Sequence, residues 1–178
     1  MKPEELIHRY CEGNPALESI LLKHSSDVSR RALKISDNHP EFKIDRQFLF
    51  EAAMLHDIGI VCVDAPFICC YGKEPYIKHG LLGGIILREE GFPAHARVAE
   101  RHTGTGLTRK EILKQGLPLP PADYVPETLE EQIICYADKF YSKTRLNEEK
   151  SYERALASLS KFGEEGLVVF EGWKHRFE

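Results

Sequence analysis

Four residues of this chain carry chemistry-capable side chains in surroundings that ought to exclude them: His24, the adjacent pair His56-Asp57, and Asp138. The sharpest case is Glu51 to Ile60, EAAMLHDIGI, where the apolar run Ala52-Ala53-Met54-Leu55 leads straight into His56-Asp57. Aspartate is rarely buried without a partner, and an unpaired buried charge is expensive. A divalent metal ion removes the conflict, because neutral imidazole and carboxylate are both good ligands for such ions. Asp138 repeats the pattern inside an apolar, aromatic segment that includes Ile133, Ile134, Tyr136, Phe140 and Tyr141. Taken singly, each residue has an ordinary structural explanation, such as a helix end or a satisfied core histidine. Taken together they point to a metal centre.

The elements that must position these residues read as helices. Asn14-Pro15 is an N-cap with proline at the first helical position, and Leu17, Leu21, His24, Val28, Ala32 and Ile35 follow at steps of three and four. His24 therefore sits mid-stripe on an amphipathic face. Asp45 caps a second helix running through Leu49 and Ala53 to His56-Asp57, with Gly59 as a left-handed C-cap. A third helix spans Ile77 to Glu90, with His79 in its first turn. Gly83 lies one turn on along the same face, where a missing side chain admits either a ligand or a neighbouring helix. A fourth helix begins at Pro93 and ends at Arg101-His102, before Thr103-Gly104-Thr105-Gly106.

Thr108 to Glu111 and Thr128 to Glu131 are capping boxes, the second opening the helix that holds Asp138. Leu117 to Pro126, with four prolines, is a loop. The irregular connection from Val61 to Tyr76 carries Phe67, Tyr71 and Tyr76, which either plug the core or face a substrate. Strand signals are confined to Val61-Cys62-Val63 and Leu167 to Phe170. The fold class is all-α, a helical bundle of about seven or eight helices. It forms one domain over residues 1–178, with a core at about 14–145 and a C-terminal helical extension at about 148–178.

The order H…HD…D across three helices is the defining pattern of the HD superfamily of metal-dependent phosphohydrolases, and the chain resembles that family. Leu55-His56-Asp57-Ile58-Gly59 matches the HDIG form of the motif. His79-Gly80, His102-Thr103 followed by glycine, and Ala137-Asp138-Lys139 are similar to the elements of its six-ligand members, including bacterial enzymes that cut diadenosine tetraphosphate symmetrically. The resemblance covers roughly residues 20 to 145. It implies one metal on His24, His56, Asp57 and Asp138, and a second on Asp57, His79 and His102, with His56 and Asp57 central to catalysis. Iron, manganese, cobalt and zinc all suit such ligands.

The activity implied is hydrolysis of a nucleotide or another small phosphate ester or anhydride, with a binuclear centre favoured. The alternatives are a mononuclear nucleotidase using four ligands and a non-catalytic module that binds nucleotides through its metal. Gly104-Thr105-Gly106-Leu107 stands where the cyclic-dinucleotide phosphodiesterases of the superfamily carry Gly-Tyr-Pro, which argues against cyclic dinucleotides. If the Asp138 helix continues unbroken, Arg145 lies seven residues on and roughly 10 Å further along its axis, in reach of a substrate phosphate. Lys139 and Lys143 point elsewhere on such a helix and are weaker candidates. Thr103 and Gly83 complete the substrate-binding set.

Composition narrows the partners. The 24 Lys+Arg and 28 Asp+Glu give a formal charge of −4, and the absence of a long basic run argues against a duplex nucleic-acid surface. The N-terminal MKPEELIHRY lacks the apolar stretch of a secretory signal, and no segment has the length of a membrane span. Five cysteines without a Cys-x-x-Cys read as reduced thiols in a cytoplasmic protein. A homodimer is compatible with the sequence.

Overall fold

Proline opens three of the helices, and capping side chains open most of the others. The computed structural model describes residues 2–178 and arranges them as nine α-helices with one two-stranded hairpin. Helix α1 (Pro3–Tyr10) precedes the first helix read from the sequence, and α2 (Pro15–Asn38) comes after it. The Asn14 side chain accepts from the Leu17 amide, as the cap signal requires. Then come α3 (Arg46–Leu55), α4 (His79–Glu89), α5 (Pro93–Arg101), α6 (Arg109–Gln115), α7 (Leu129–Asp138), α8 (Tyr152–Leu159) and α9 (Glu164–Phe177). Both capping boxes form, at Thr108/Glu111 and Thr128/Glu131.

Two apolar clusters fill the interior. One joins α2, α3 and α7 to the C-terminal helices, through Val28, Ala53, Ile133, Tyr136, Phe170 and Phe177. The other joins α1 and the first half of α2 to α4 and α5, through Ile7, Leu21, Leu55, Leu87 and Ala99. His24 sits between Leu21 of one cluster and Val28 of the other, so the predicted polar centre lies in the seam between two cores. That placement solves a packing problem. Polar groups in a seam interrupt neither cluster, and both shield them from water.

Gly59 works differently from the expected cap. It does not adopt a positive φ; the chain leaves α3 through His56-Asp57 into a 3-10 turn, Ile58–Cys62. A Cβ at Gly59 would lie 2.0 Å from the His79 carbonyl oxygen and 2.3 Å from the Gly83 amide nitrogen. The glycine exists for backbone contact with α4. Both strand expectations also move. Val61-Cys62 falls at the end of the 3-10 turn, and the hairpin instead pairs β1 (Asp64–Ala65) with β2 (Cys70–Tyr71), antiparallel. Leu167 to Phe170 belongs to α9, where buried Phe170 faces the core and Val168 and Val169 face solvent. A short apolar run cannot distinguish strand from helix.

The helix holding Asp138 does not continue. α7 stops at Asp138, and the chain loops through 139–151 before α8 begins. Everything that loop carries is therefore repositioned.

Candidate metal centre

Five helices deliver the six predicted residues to one place, and all but His24 arrive at helix ends. His56 caps the C-terminus of α3 and Asp57 is next in the chain; His102 caps α5; His79 opens α4; Asp138 closes α7. All six are buried, with His56 and Asp57 wholly inaccessible.

Three of the four imidazoles are fixed by the same device. His56, His79 and His102 each place Nδ1 at 2.7 Å from the carbonyl oxygen three residues earlier, of Ala53, Tyr76 and Ala99 respectively. Nδ1 donates in each case, which leaves Nε2 as the bare nitrogen aimed inward. The inward atoms then crowd together. His24 Nε2 lies 3.0 Å from Asp57 Oδ2 and 3.0 Å from Asp138 Oδ1. His56 Nε2 lies 3.0 Å from Asp57 Oδ2, and His79 and His102 approach the other oxygen, Oδ1, at 3.4 and 3.3 Å. The Nε2 atoms of His79 and His102 are 3.0 Å apart.

These atoms fit metal ions better than they fit one another. His24 Nε2, His56 Nε2 and Asp57 Oδ1 are buried and make no hydrogen bond, despite their short separations, and the cation beside Asp57 Oδ2 is the Lys143 ammonium. Orphaned buried polar atoms in that number need a partner of another kind. Ligands held about 2.1 Å from one ion lie about 3 Å apart at right angles, which is the spacing seen here. His24, His56, Asp57 and Asp138 form one group that could hold an ion, and Asp57, His79 and His102 form a second. Asp57 is common to both, one oxygen turned to each.

The electrostatics favour charged carboxylates. Burial alone would push the Asp57 and Asp138 carboxyls up. The Lys143 ammonium, with the His56 ring beside it, outweighs it at Asp57, and Lys139 with His24 and His56 does so at Asp138, so both are held well below the usual carboxylate range. Burial, with His102 beside it, drives His79 down to about 3, and burial lowers His102 as well, so both present neutral nitrogens.

A cavity of about 400 Å³ opens onto this cluster, with His24, His79, His102 and Asp138 on its floor. Lys139, Lys143, Lys150 and Lys161 line it, and Asp138 is the one carboxylate among its described lining residues. The Lys143 ammonium lies 2.5 Å from Asp57 Oδ2 and donates to the Tyr76 hydroxyl at 3.2 Å. Lys139 donates to Asp138 Oδ2 at 2.6 Å and to the His102 carbonyl at 2.8 Å.

A match to the HD domain spans residues 21–142, more than two thirds of the chain, with all six clustered residues inside it. The chain belongs to the HD-domain family. Among its relatives, an uncharacterized protein, MJ0778, from Methanocaldococcus jannaschii is 35% identical over 147 residues, which are 81% of this chain and 76% of that protein. Two proteins named tRNA (cytidine(56)-2'-O)-methyltransferase also match. The one from Picrophilus torridus is 35% identical over 130 residues (72% of this chain), and that from Thermoplasma volcanium is 31% identical over 139 residues (78% of this chain). The chain spans only about a third of each of those two, 33% and 35%. No solved structure matches. Among the described residues no helix is long and apolar enough to cross a membrane.

The predicted substrate-binding residues of this HD domain separate. Thr103 and Lys139 line the cavity. Gly83 does not; it packs on Gly59 and on the Ala99 side chain, so its missing Cβ serves helix contact. Arg145 is not at the centre either. Its helix ends at Asp138, and the exposed guanidinium faces Glu148 at 3.6 Å. Lys143, expected to point away, is the cation at Asp57. Nothing in the periodicity marks it, because the only route to the site is the break after Asp138, which carries neither glycine nor proline.

Proposed function

We propose that this chain is a metal-dependent phosphohydrolase whose substrate is a nucleotide or a similar phosphate ester or anhydride. One observation carries the reading: two ligand groups share Asp57 on the floor of a cavity walled by lysines. His24, His56, Asp57 and Asp138 would hold one divalent ion, and Asp57, His79 and His102 a second. When bound, such ions lower the pKa of water and neutralise phosphate charge.

The chain's own residues supply the rest. Asp57 divides its oxygens between the two groups, and backbone carbonyls hold three imidazoles in a single tautomer. Lys143 and Lys139 place ammonium groups beside the two carboxylates, where a phosphoryl oxygen would take up a charge-assisted hydrogen bond. The Tyr76 hydroxyl orients Lys143, and its ring stacks on His79. Burial of His56 and Asp57 keeps bulk water from competing for them.

A second reading concerns the substrate. The matching segment occurs within proteins named for tRNA modification in two organisms, which favours a phosphate carried on RNA over a free nucleotide. The test of both is elemental analysis of protein purified without chelator, then phosphate release from nucleotides, dinucleoside polyphosphates and end-phosphorylated tRNA transcripts. Two equivalents of metal and turnover of one class support the hydrolase. Tight nucleotide binding with no turnover across the panel would favour a non-catalytic metal-dependent binding module. One equivalent with turnover would favour the mononuclear nucleotidase.

A further inference from the structure

The far wall of the cavity lies outside the HD match, which ends at residue 142. It is built by the loop after α7, the last turn of α8 and the 3-10 turn Ser160–Phe162 that follows, which contribute Lys150, Ser158, Lys161 and Phe162. The Phe162 ring fixes that turn to the ligand-bearing loop. It lies 3.2 Å from where a Cβ of Gly104 would stand, two residues after His102, and Gly104 takes the positive φ of 62° that its neighbours there require. Lys161 is therefore carried at a set position beside the site.

Lys150 and Lys161 differ from the two lysines on the floor. Lys139 and Lys143 each face a carboxylate. Lys150 donates to the Lys139 carbonyl at 3.3 Å, and Lys161 lies over the Phe162 ring. Neither has a carboxylate within ion-pair range among the described residues. Lys150 is half-buried, and burial, with Lys139, Arg154 and Lys161 nearby, holds its ammonium below the ordinary lysine value despite the pull of Asp138. A cluster of ammonium groups on a cavity wall, in a chain of net charge −4, concentrates positive potential where an anionic group would be attracted.

We propose that Lys150 and Lys161 form a second anion subsite, which selects substrates carrying a second phosphoryl group besides the one held at the floor. The proposal rests on the phosphohydrolase reading for the first phosphoryl group. It makes the C-terminal extension the specificity wall of the family core: the HD segment cleaves, and the extension chooses.

The experiment uses the full chain loaded with manganese and three probes: adenosine 5'-monophosphate, adenosine 5'-diphosphate and adenosine 3',5'-bisphosphate. Phosphate release gives kcat/KM, and calorimetry gives Kd for each probe in parallel. The proteins are wild type, the Lys150→Gln/Lys161→Gln double variant and the Lys150→Arg/Lys161→Arg double variant. Wild type should prefer at least one doubly phosphorylated probe over the monophosphate by about tenfold or more, the scale of one charge-assisted contact. The glutamine variant should lose that preference and the arginine variant keep it, with metal content and Tm the same in all three. Preference for the diphosphate places the second group across an anhydride; preference for the bisphosphate places it across the sugar.

No preference in wild type, or an equal fall for all three probes in the glutamine variant, overturns the subsite. Absence of phosphate release from every probe counts against the hydrolase reading alone. The Kd ratios then decide the subsite by the same criteria.

Discussion

The floor and the far wall of the cavity are built on opposite principles. On the floor, His56, His79 and His102 stand at helix ends, each ring tied to a carbonyl three residues back, and neighbouring donors sit about 3 Å apart. On the wall, Lys150 and Lys161 sit on a loop and a short turn, held by one long hydrogen bond and one aromatic face. Geometry is fixed where bonds to an ion would be made and broken, and only charge is supplied where a substrate would be chosen. Small displacements matter greatly for ligands and little for a long, flexible ammonium. Such a division would let one core take different substrates by a change of wall.

The comparison can be broken most decisively at Asp57. Asp57→Ala should abolish metal at both groups, since one carboxylate serves both; elemental analysis retaining near-normal metal and activity would dismantle the two-group floor. Next come the residues of the second group alone. His79→Ala and His102→Ala should each keep about one equivalent of metal and lose activity on the order of a hundredfold, the usual scale for a key catalytic group. If both variants stay fully active and wild type never exceeds one equivalent, the second group has no part in catalysis.

Lys143 belongs to neither principle cleanly, being a loop lysine that reaches the floor. Lys143→Met should raise KM by about tenfold with metal content intact, as expected for one charge-assisted contact to phosphate. A fall in metal content instead would show that it orders Asp57 rather than substrate. The smallest effect belongs to Arg145. Arg145→Ala should leave kcat/KM within about twofold and stability within about 0.5 kcal/mol, because it is an exposed residue facing one surface carboxylate. A larger kinetic loss would mean that the 139–151 loop closes on substrate in another conformation.

The floor was legible in the sequence because it violates a rule locally. His56-Asp57 after four apolar residues, and Asp138 among isoleucines and aromatics, are costly unless something pairs them, and the cost is visible without coordinates. The helices around them were legible through caps and periodicity, as at Asn14 and at both capping boxes. The wall was not. Helix α7 ends without a glycine or proline, so extrapolating its period put Arg145 in the site and Lys143 outside it. Lysines on irregular chain carry no signal, because a solvated lysine and a site lysine look alike in one dimension. Gly59 was read as a cap for a related reason: a glycine after a helix usually is one, and only the approach of His79 and Gly83 shows that this one is a contact.

Rings tied to their own backbones cannot re-aim when one ion replaces another. With three of its four rings so held, the centre offers nitrogen and oxygen donors that iron, manganese, cobalt and zinc could all enter, and little in such a set rejects the wrong one. Which ion is found in the purified protein would depend on supply during synthesis. The same chain grown in two media that differ only in trace metals would be two different preparations, identical in sequence and fold and unequal in rate.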